Sequence, residues 1–234
     1  MSDRATAVDQ LSDGLSESAR QMAELDGKEP VVWSDQLELP PMKLRRAGLR
    51  PIARDDFEFV HELLTGASPQ TLGASWDQTV GPPPEADVFV PRVLSQALTA
   101  FLIIATDVER SRAGVCLAQS VDWNSGHASI GVVVKGRYEH SGVGIEAGAL
   151  FVNYLFSRYR LRKLYTQTID FAYQRFGRQA DSGYAVEGRL KDHTYLFGRY
   201  WDSVILAIYR QQWEEWKDAL NRPGSISGRK VDGS

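Results

Sequence analysis

The chain has 234 residues, of which 43% are hydrophobic, 24% charged and 10% aromatic; this is enough apolar material for one domain with a sizeable core, and it excludes a disordered or fibrous class. Its 27 Lys and Arg against 30 Asp and Glu leave a net charge of −3, which argues against a dedicated nucleic-acid binder, whose affinity would rest on neutralising many phosphates. One cysteine, Cys116, and four scattered histidines give neither a disulfide nor a ligand spacing, so no metal is expected.

No apolar run approaches the roughly 20 residues of a membrane helix, and even Leu98 to Ala105 is only of strand length. The first thirty residues lack the basic start and apolar stretch of a secretory signal, so a cytoplasmic protein with no membrane partner is expected. Those residues hold seven Asp or Glu against three Lys or Arg and no aromatic side chain, the composition of a disordered acidic tail over 1–30. The remainder carries 24 basic and 23 acidic side chains, so any anion site must arise from local clustering. A single domain is expected over 31–220, with 221–234, rich in Gly, Ser and Arg, as a flexible C-terminal tail.

Leu44 to Ile52 reads as the first strand, and Asp55 or Asp56 caps a following helix whose apolar face is Val60, Leu63 and Leu64. Gly73 to Asp87, with Gly81-Pro82-Pro83-Pro84, cannot continue a regular element and reads as a loop. A helix over Pro91 to Gln96 leads to the strand Leu98 to Ala105, after which Asp107 to Ala113 turns the chain into the strand Gly114 to Val121. Asn124-Ser125-Gly126 supplies a hairpin connection because Asn and Gly tolerate positive φ, and Ala128, Ile130, Val132 and Val134 then alternate on one face. After Lys135 to Gly144, a helix repeats Ala147, Leu150, Phe151, Tyr154 and Leu155 at i, i+3, i+4, i+7 and i+8, a stripe that packs on a sheet. Leu164 to Ile169 is a strand, Tyr173 to Asp181 a short helix, and Gly183 to Leu190 and Ser203 to Tyr209 close a mixed α/β order.

Chemistry concentrates where the strand of residues 127–134 leads through Gly136-Arg137-Tyr138-Glu139-His140-Ser141 to Gly142-Val143-Gly144 and a helix. Two glycines at a helix start let backbone N–H groups converge on an anion, and the helix dipole adds about half a positive charge there, so a phosphate or pyrophosphate fits. The spacing matches neither the three-glycine dinucleotide fingerprint nor the Gly-Lys-Ser/Thr of a P-loop, which disfavours nucleotide hydrolysis.

Four stretches carry a resemblance. Gly142-Val143-Gly144 stands where an acyl-CoA pyrophosphate motif is written Gln or Arg, two residues, Gly, one residue, Gly or Ala, with Glu139 in the Gln or Arg place. Leu161-Arg162-Lys163-Leu164-Tyr165, preceded by Arg158 and Arg160, is similar to the strand after the motif helix. Gly183-Tyr184-Ala185-Val186-Glu187-Gly188-Arg189-Leu190 resembles a Gly-Phe, two residues, Glu-Gly stretch, and Gly198-Arg199-Tyr200-Trp201-Asp202 with Glu214-Glu215-Trp216 resembles a C-terminal pattern. Over residues 44–216 the chain thus resembles the GCN5-related N-acetyltransferase (GNAT) superfamily, in particular the branch that acetylates ribosomal-protein N-termini and small-molecule amines.

The resemblance implies the GNAT acyl-CoA N-acyltransferase fold, a mixed and mostly antiparallel sheet flanked by helices. It also implies acetyl-CoA as cosubstrate, no metal, and transfer to a primary amine by direct attack. Val132, Val133 and Val134 then form the pantetheine-binding edge of a splayed strand, and a backbone N–H near Val132 or Val133 polarises the reacting carbonyl. Gly142, Val143 and Gly144 donate backbone N–H groups to pyrophosphate, Lys135 and Arg137 help electrostatically, and Arg175 or Arg178 meets the 3′-phosphate. Glu187 is the first candidate for the base that deprotonates the acceptor, with Glu139 and His140 as runners-up; His140 has the ordinary pKa nearer neutrality. The Tyr that several members use as general acid is Gln179 here, and the Asn and Ser of a family pattern are Ala172 and Arg175, which leaves Tyr173 or Ser182 as substitute donors.

Trp76, Trp123, His127, Tyr195 and Trp201 are candidate acceptor contacts, with Phe197 and Tyr200 as further aromatic walls. Such walls suit an extended or apolar acceptor, a peptide N-terminus or an amine-bearing metabolite such as an antibiotic or natural product, better than a highly cationic aminoglycoside. Ribosomal-protein N-terminal acetylation is the next alternative, and a non-catalytic acyl-CoA-binding module the one after, motivated by the missing Tyr. A homodimer is compatible with the resemblance. Cys116, on an interior-looking strand, reads as a small buried hydrophobe ahead of an acyl carrier.

Overall fold

The computed structural model describes residues 42–66, 84–176, 184–196 and 198–220, and in it seven strands form one sheet in the order β1-β2-β3-β4-β5-β7-β6. The strands are β1 (Ala47–Pro51), β2 (Thr99–Ala105), β3 (Arg112–Asp122), β4 (His127–Val134), β5 (Lys163–Ile169), β6 (Ala185–Leu196) and β7 (Arg199–Tyr209). The helices are α1 (Phe57–Thr65), α2 (Ala86–Gln96), α3 (Val143–Arg158), α4 (Asp170–Phe176) and α5 (Arg210–Leu220). Every neighbouring pair is antiparallel except β4 with β5, so the sheet is the mixed, mostly antiparallel one expected. The tails 1–30 and 221–234, the stretch 73–83, Gly183 and the end of the Tyr173–Asp181 helix lie outside the described residues. Among the described residues no helix is long and apolar enough to cross a membrane.

The alternation of β4 sends its side chains into two cores. Ala128, Ile130, Val132 and Val134 pack with Ala147, Leu150, Phe151 and Leu155 of α3, as the helical stripe requires. Val133 goes to the other face with Val60, Leu63 and Leu64 of α1 and Phe89 and Val90 of α2. Gly144 and Gly148 let α3 lie close on β4: a Cβ at Gly144 would stand 3.3 Å from Val134 Cγ1, and one at Gly148 would stand 3.8 Å from Val132 Cγ2. Cys116 is fully buried on the α3 face, where burial pushes its thiol pKa far up, so it is packing and not a nucleophile.

Four elements differ from the sequence reading. The α2 helix starts at Ala86 and runs through Pro91, although a Pro there forfeits a backbone bond; burial of Ala86, Phe89 and Val90 offsets the loss. The closing strands β6 and β7 are longer than expected and pair as far as Leu196 with Arg199. The α5 helix was hidden by its polar composition, since it is anchored by the buried Trp213 and by Arg210. Arg210 donates from Nε to Leu161 O at 2.7 Å and from its two terminal nitrogens to Phe156 O and Tyr159 O at 2.6 Å each, filling carbonyls at the end of α3.

Asp56 also has another task than capping. Its carboxylate, with 0% exposure, accepts from Arg50 at 2.7 and 2.8 Å, from the Ala53 N–H at 2.8 Å and stands 2.8 Å from Arg112 Nε. The Arg50 bonds hold its carboxyl below the usual carboxylate range and tie the α1 entry to β1 and β3.

Candidate active site

Pairing between β4 and β5 is confined to His127–Ser129 and Lys163–Tyr165. Both strands continue, β4 to Val134 and β5 to Ile169, but β5 pairs there only with β7. The sheet therefore opens at a vertex beside Ser129 and Tyr165, leaving one backbone edge of Ile130 to Val134 without a strand partner among the described residues. Such an edge presents N–H and C=O groups to whatever enters the opening. Val132 and Val134 turn their backbone groups to that edge, whereas Val133, opposite Val115, turns its own to β3, so of the three valines expected there only two present N–H and C=O groups to the opening.

At the mouth of the opening stands the start of α3. Gly142 has φ +85°, a conformation that favours glycine, and its carbonyl accepts the Glu146 N–H. Ser141 Oγ accepts the Val143 N–H at 3.2 Å, while the N–H groups of the next helical residues, Gly144 and Ile145, have no partner within the helix. A Cβ on Gly142 would overlap the guanidinium of Arg46, so this cation lies directly over the helix N-terminus. Arg46 is held there by its backbone N–H, which donates to Glu146 Oε2 at 2.6 Å, with the Arg46 Nε 4.0 Å from Oε1. Sequence reasoning missed Arg46, because nothing local links it to a glycine pair in a distant helix.

A second constellation lies at the vertex and just on its closed side, on the face opposite α3. Lys163, Tyr165 and Tyr209 share that face through the registers Lys163 with Tyr209 and Tyr165 with Ala207. Glu187 is the extra residue of a bulge in β6 between Val186 and Gly188, which turns its side chain onto them. Lys163 Nζ donates to both Glu187 oxygens, at 3.0 and 2.8 Å, Tyr165 Oη donates to Oε2 at 2.6 Å, and Tyr209 Oη donates to Oε1. The ammonium also lies 4.5 Å from the Tyr165 ring centroid and 5.5 Å from that of Tyr209. The Lys163 and tyrosine bonds hold the Glu187 carboxyl at a pKa of about 2, and Glu187 in turn raises those of Lys163 and Tyr209. A carboxylate this acidic stays ionised and accepts a proton weakly. Only Glu187 of this group was singled out from sequence; the i, i+2 spacing of Lys163 and Tyr165 was the available signal for two more.

The remaining candidates scatter. His127 is on this same face, its ring 5.3 Å from that of Tyr165 and its Nε2 3.7 Å from Asp122 Oδ2. Glu139 is half-buried and His140, at φ 62°, exposed, both in the turn before α3. Arg137 donates to Tyr138 Oη at 2.7 Å, and that hydroxyl donates to Asp107 at 3.0 Å, while Lys135 Nζ is 3.5 Å from Glu62. Tyr173 is half-buried on α4, which also carries Arg175; Arg178, Gln179 and Ser182 lie outside the described residues. Among the described residues the aromatic walls do not assemble. Trp123 sits in the β3–β4 turn beside Tyr159, at the end of β4 away from the opening. Tyr195 pairs with Tyr200, and Trp201 meets the Phe171 ring edge-to-face, in the part of the β6–β7 hairpin that extends past β5. Trp76 and Phe197 lie outside the described residues.

A sheet opened beside a helix N-terminus that a glycine and an arginine prepare for anions matches what the family comparison finds. Residues 85–205, just over half of the chain, match the model of the acetyltransferase (GNAT) domain, and the chain belongs to that family. It is an acetyl-CoA-dependent N-acetyltransferase. The chain is 25% identical over 172 residues to the spermidine N(1)-acetyltransferase of Escherichia coli (strain K12), covering 70% of this chain and 87% of that protein. The spermidine N-acetyltransferase of Vibrio cholerae, solved with CoA and spermine, superposes with a TM-score of 0.59 at 16% identity, covering 72% of this chain and 98% of the other. A spermidine/spermine N-acetyltransferase structure from the same organism gives a TM-score of 0.58, covering 73% and 96%.

Proposed function

We propose that this enzyme transfers the acetyl group of acetyl-CoA to a terminal primary amine of an aliphatic polyamine of the spermidine class. The observation that carries the reading is the cage of Glu187, Tyr165 and Tyr209, a carboxylate with two phenols that already holds an ammonium beside the vertex of the opened sheet. The names of the relatives agree with it, and a peptide or antibiotic acceptor, expected above from aromatic walls, loses support because the walls among the described residues, Trp123, Tyr195, Tyr200 and Trp201, do not converge.

Acetyl-CoA supplies the activated thioester. In this reading its pantetheine arm lies along Ile130 to Val134, and its pyrophosphate meets the N–H groups around Gly142, Val143 and Gly144 with Arg46 above them. Arg137 flanks that position, and Arg175 or Arg178 stays the candidate for the 3′-phosphate. Glu187, its charge committed to Lys163, orients the acceptor and leaves the proton to be taken elsewhere. His127, on the vertex face beside Asp122, accepts it through water, and Tyr173 is the candidate donor to the departing thiolate.

The test is product formation. The protein is incubated with acetyl-CoA and, separately, spermidine, spermine, a peptide with a free N-terminus and an aminoglycoside, and both thiol release and product mass are followed. Acetylated spermidine or spermine, formed with a higher kcat/KM than the other products, is expected. Acetylation of the peptide or aminoglycoside in preference, or no thiol release with any amine, overturns the reading; the last outcome leaves a CoA-binding module.

A further inference from the structure

The cage that makes a polyamine a sensible acceptor is filled by this chain's own ammonium. We propose that Lys163 is a specificity-determining residue, whose side chain competes with the acceptor's ammonium for the Glu187–Tyr165–Tyr209 cage and so limits how tightly a multiply charged acceptor is held. The inference rests on the polyamine reading above and deepens it.

A lysine head and the end of an aliphatic polyamine are the same group, a primary alkylammonium with three donors on a methylene stem. What satisfies one satisfies the other. Here the fit is complete: both carboxylate oxygens receive Lys163 Nζ within 3.0 Å, two hydroxyls share the carboxylate, and two ring faces flank the cation. The Lys163 side chain is 9% exposed and that of Glu187 22%, so the cage is withdrawn from bulk water yet reachable from one side. Its position follows from the fold. Lys163 pairs with His127 at the closed end of the β4–β5 contact, and Tyr165, two residues on, is the last residue paired before the sheet opens. A tethered ammonium acts at millimolar or higher effective concentration, so a free amine must displace it to use Glu187.

The variant is Lys163→Met, which keeps the stem and removes the charge, with Lys163→Gln as a second in case the first folds poorly. Steady-state kinetics with spermidine are measured under saturating acetyl-CoA, and with acetyl-CoA under saturating spermidine. The KM for spermidine is expected to fall about tenfold, since a competitor at that effective concentration is gone, while the KM for acetyl-CoA stays within about twofold. The double variant Lys163→Met, Glu187→Gln loses the gain. A lysine that served only stability would instead lower kcat and thermal stability without improving the spermidine KM. An unchanged or higher spermidine KM in a folded Lys163→Met or Lys163→Gln protein overturns the proposal. Calorimetry with n-butylammonium separates this from the functional reading. If the probe binds Lys163→Met and not the wild type, while neither protein acetylates a polyamine, the cage competition stands and the polyamine assignment falls. If the wild type acetylates spermidine and the variants change neither KM nor probe binding, the competition alone fails.

Discussion

Replacing Glu187 with Gln keeps the shape of the side chain and an oxygen acceptor but removes the charge that Lys163, Tyr165 and Tyr209 all bond. Exposed ion pairs contribute about 0–1 kcal/mol, and breaking a fully buried one costs about 3–5 kcal/mol. With its two side chains 22% and 9% exposed, this pair falls between. The Gln oxygen still accepts one of the donors, so the loss is the charge-assisted share, about 2 kcal/mol. In a chain of this size that lowers Tm by about 4–8 °C at neutral pH. The pH dependence has a definite sign. The folded carboxyl, with a pKa of about 2 against the usual 4.5, adds stability that is fully present above 4.5 and is lost as pH falls towards 2. Urea or thermal denaturation of both proteins across that range is therefore expected to show a constant difference above about pH 5 that closes in acid. A difference at neutral pH below about 0.5 kcal/mol, or one that widens in acid, refutes the reasoning. The kinetic arm is as direct. A group ionised throughout gives no inflection near neutrality, so if Glu187→Gln abolishes an acid limb of kcat/KM between about pH 6 and 8, the residue is a tuned base after all.

Two further outcomes are expected. Arg46→Ala removes the cation over Gly142 and is expected to raise the KM for acetyl-CoA about tenfold, the worth of one charge-assisted phosphate contact, with kcat little changed; an unaltered KM would dissociate Arg46 from the cofactor. Gly114→Ala introduces a Cβ that would overlap the Val133 carbonyl oxygen and stand 2.9 Å from Val134 Cα, both backbone atoms that cannot rotate away. A destabilisation of about 3 kcal/mol is expected, seen as a fall in Tm of about 6–12 °C, and a shift of only about a degree would show that β3 and β4 adjust freely.

The chain order of strands and helices was legible because it is written in local periodicities. The stripe Ala147, Leu150, Phe151, Tyr154 and Leu155 has only one way to bury itself, as does the alternation from Ala128 to Val134. Gly142 was legible too, since a left-handed turn into a helix restricts side chains. The α5 helix was not, because two anchoring side chains, Trp213 and Arg210, gain their meaning only from α3 beneath them.

Residue types and spacings along the chain thus determined the elements, the anion-ready helix start and the family likeness. Tertiary structure alone decided that Arg46 and Glu146, one hundred positions apart, meet at that helix. It also decided that a β-bulge turns Glu187 onto Lys163, Tyr165 and Tyr209. The reason is physical: periodicity reports which face a residue occupies, whereas strand register, set by pairing across the whole sheet, determines which faces come together and what charge each side chain confronts there.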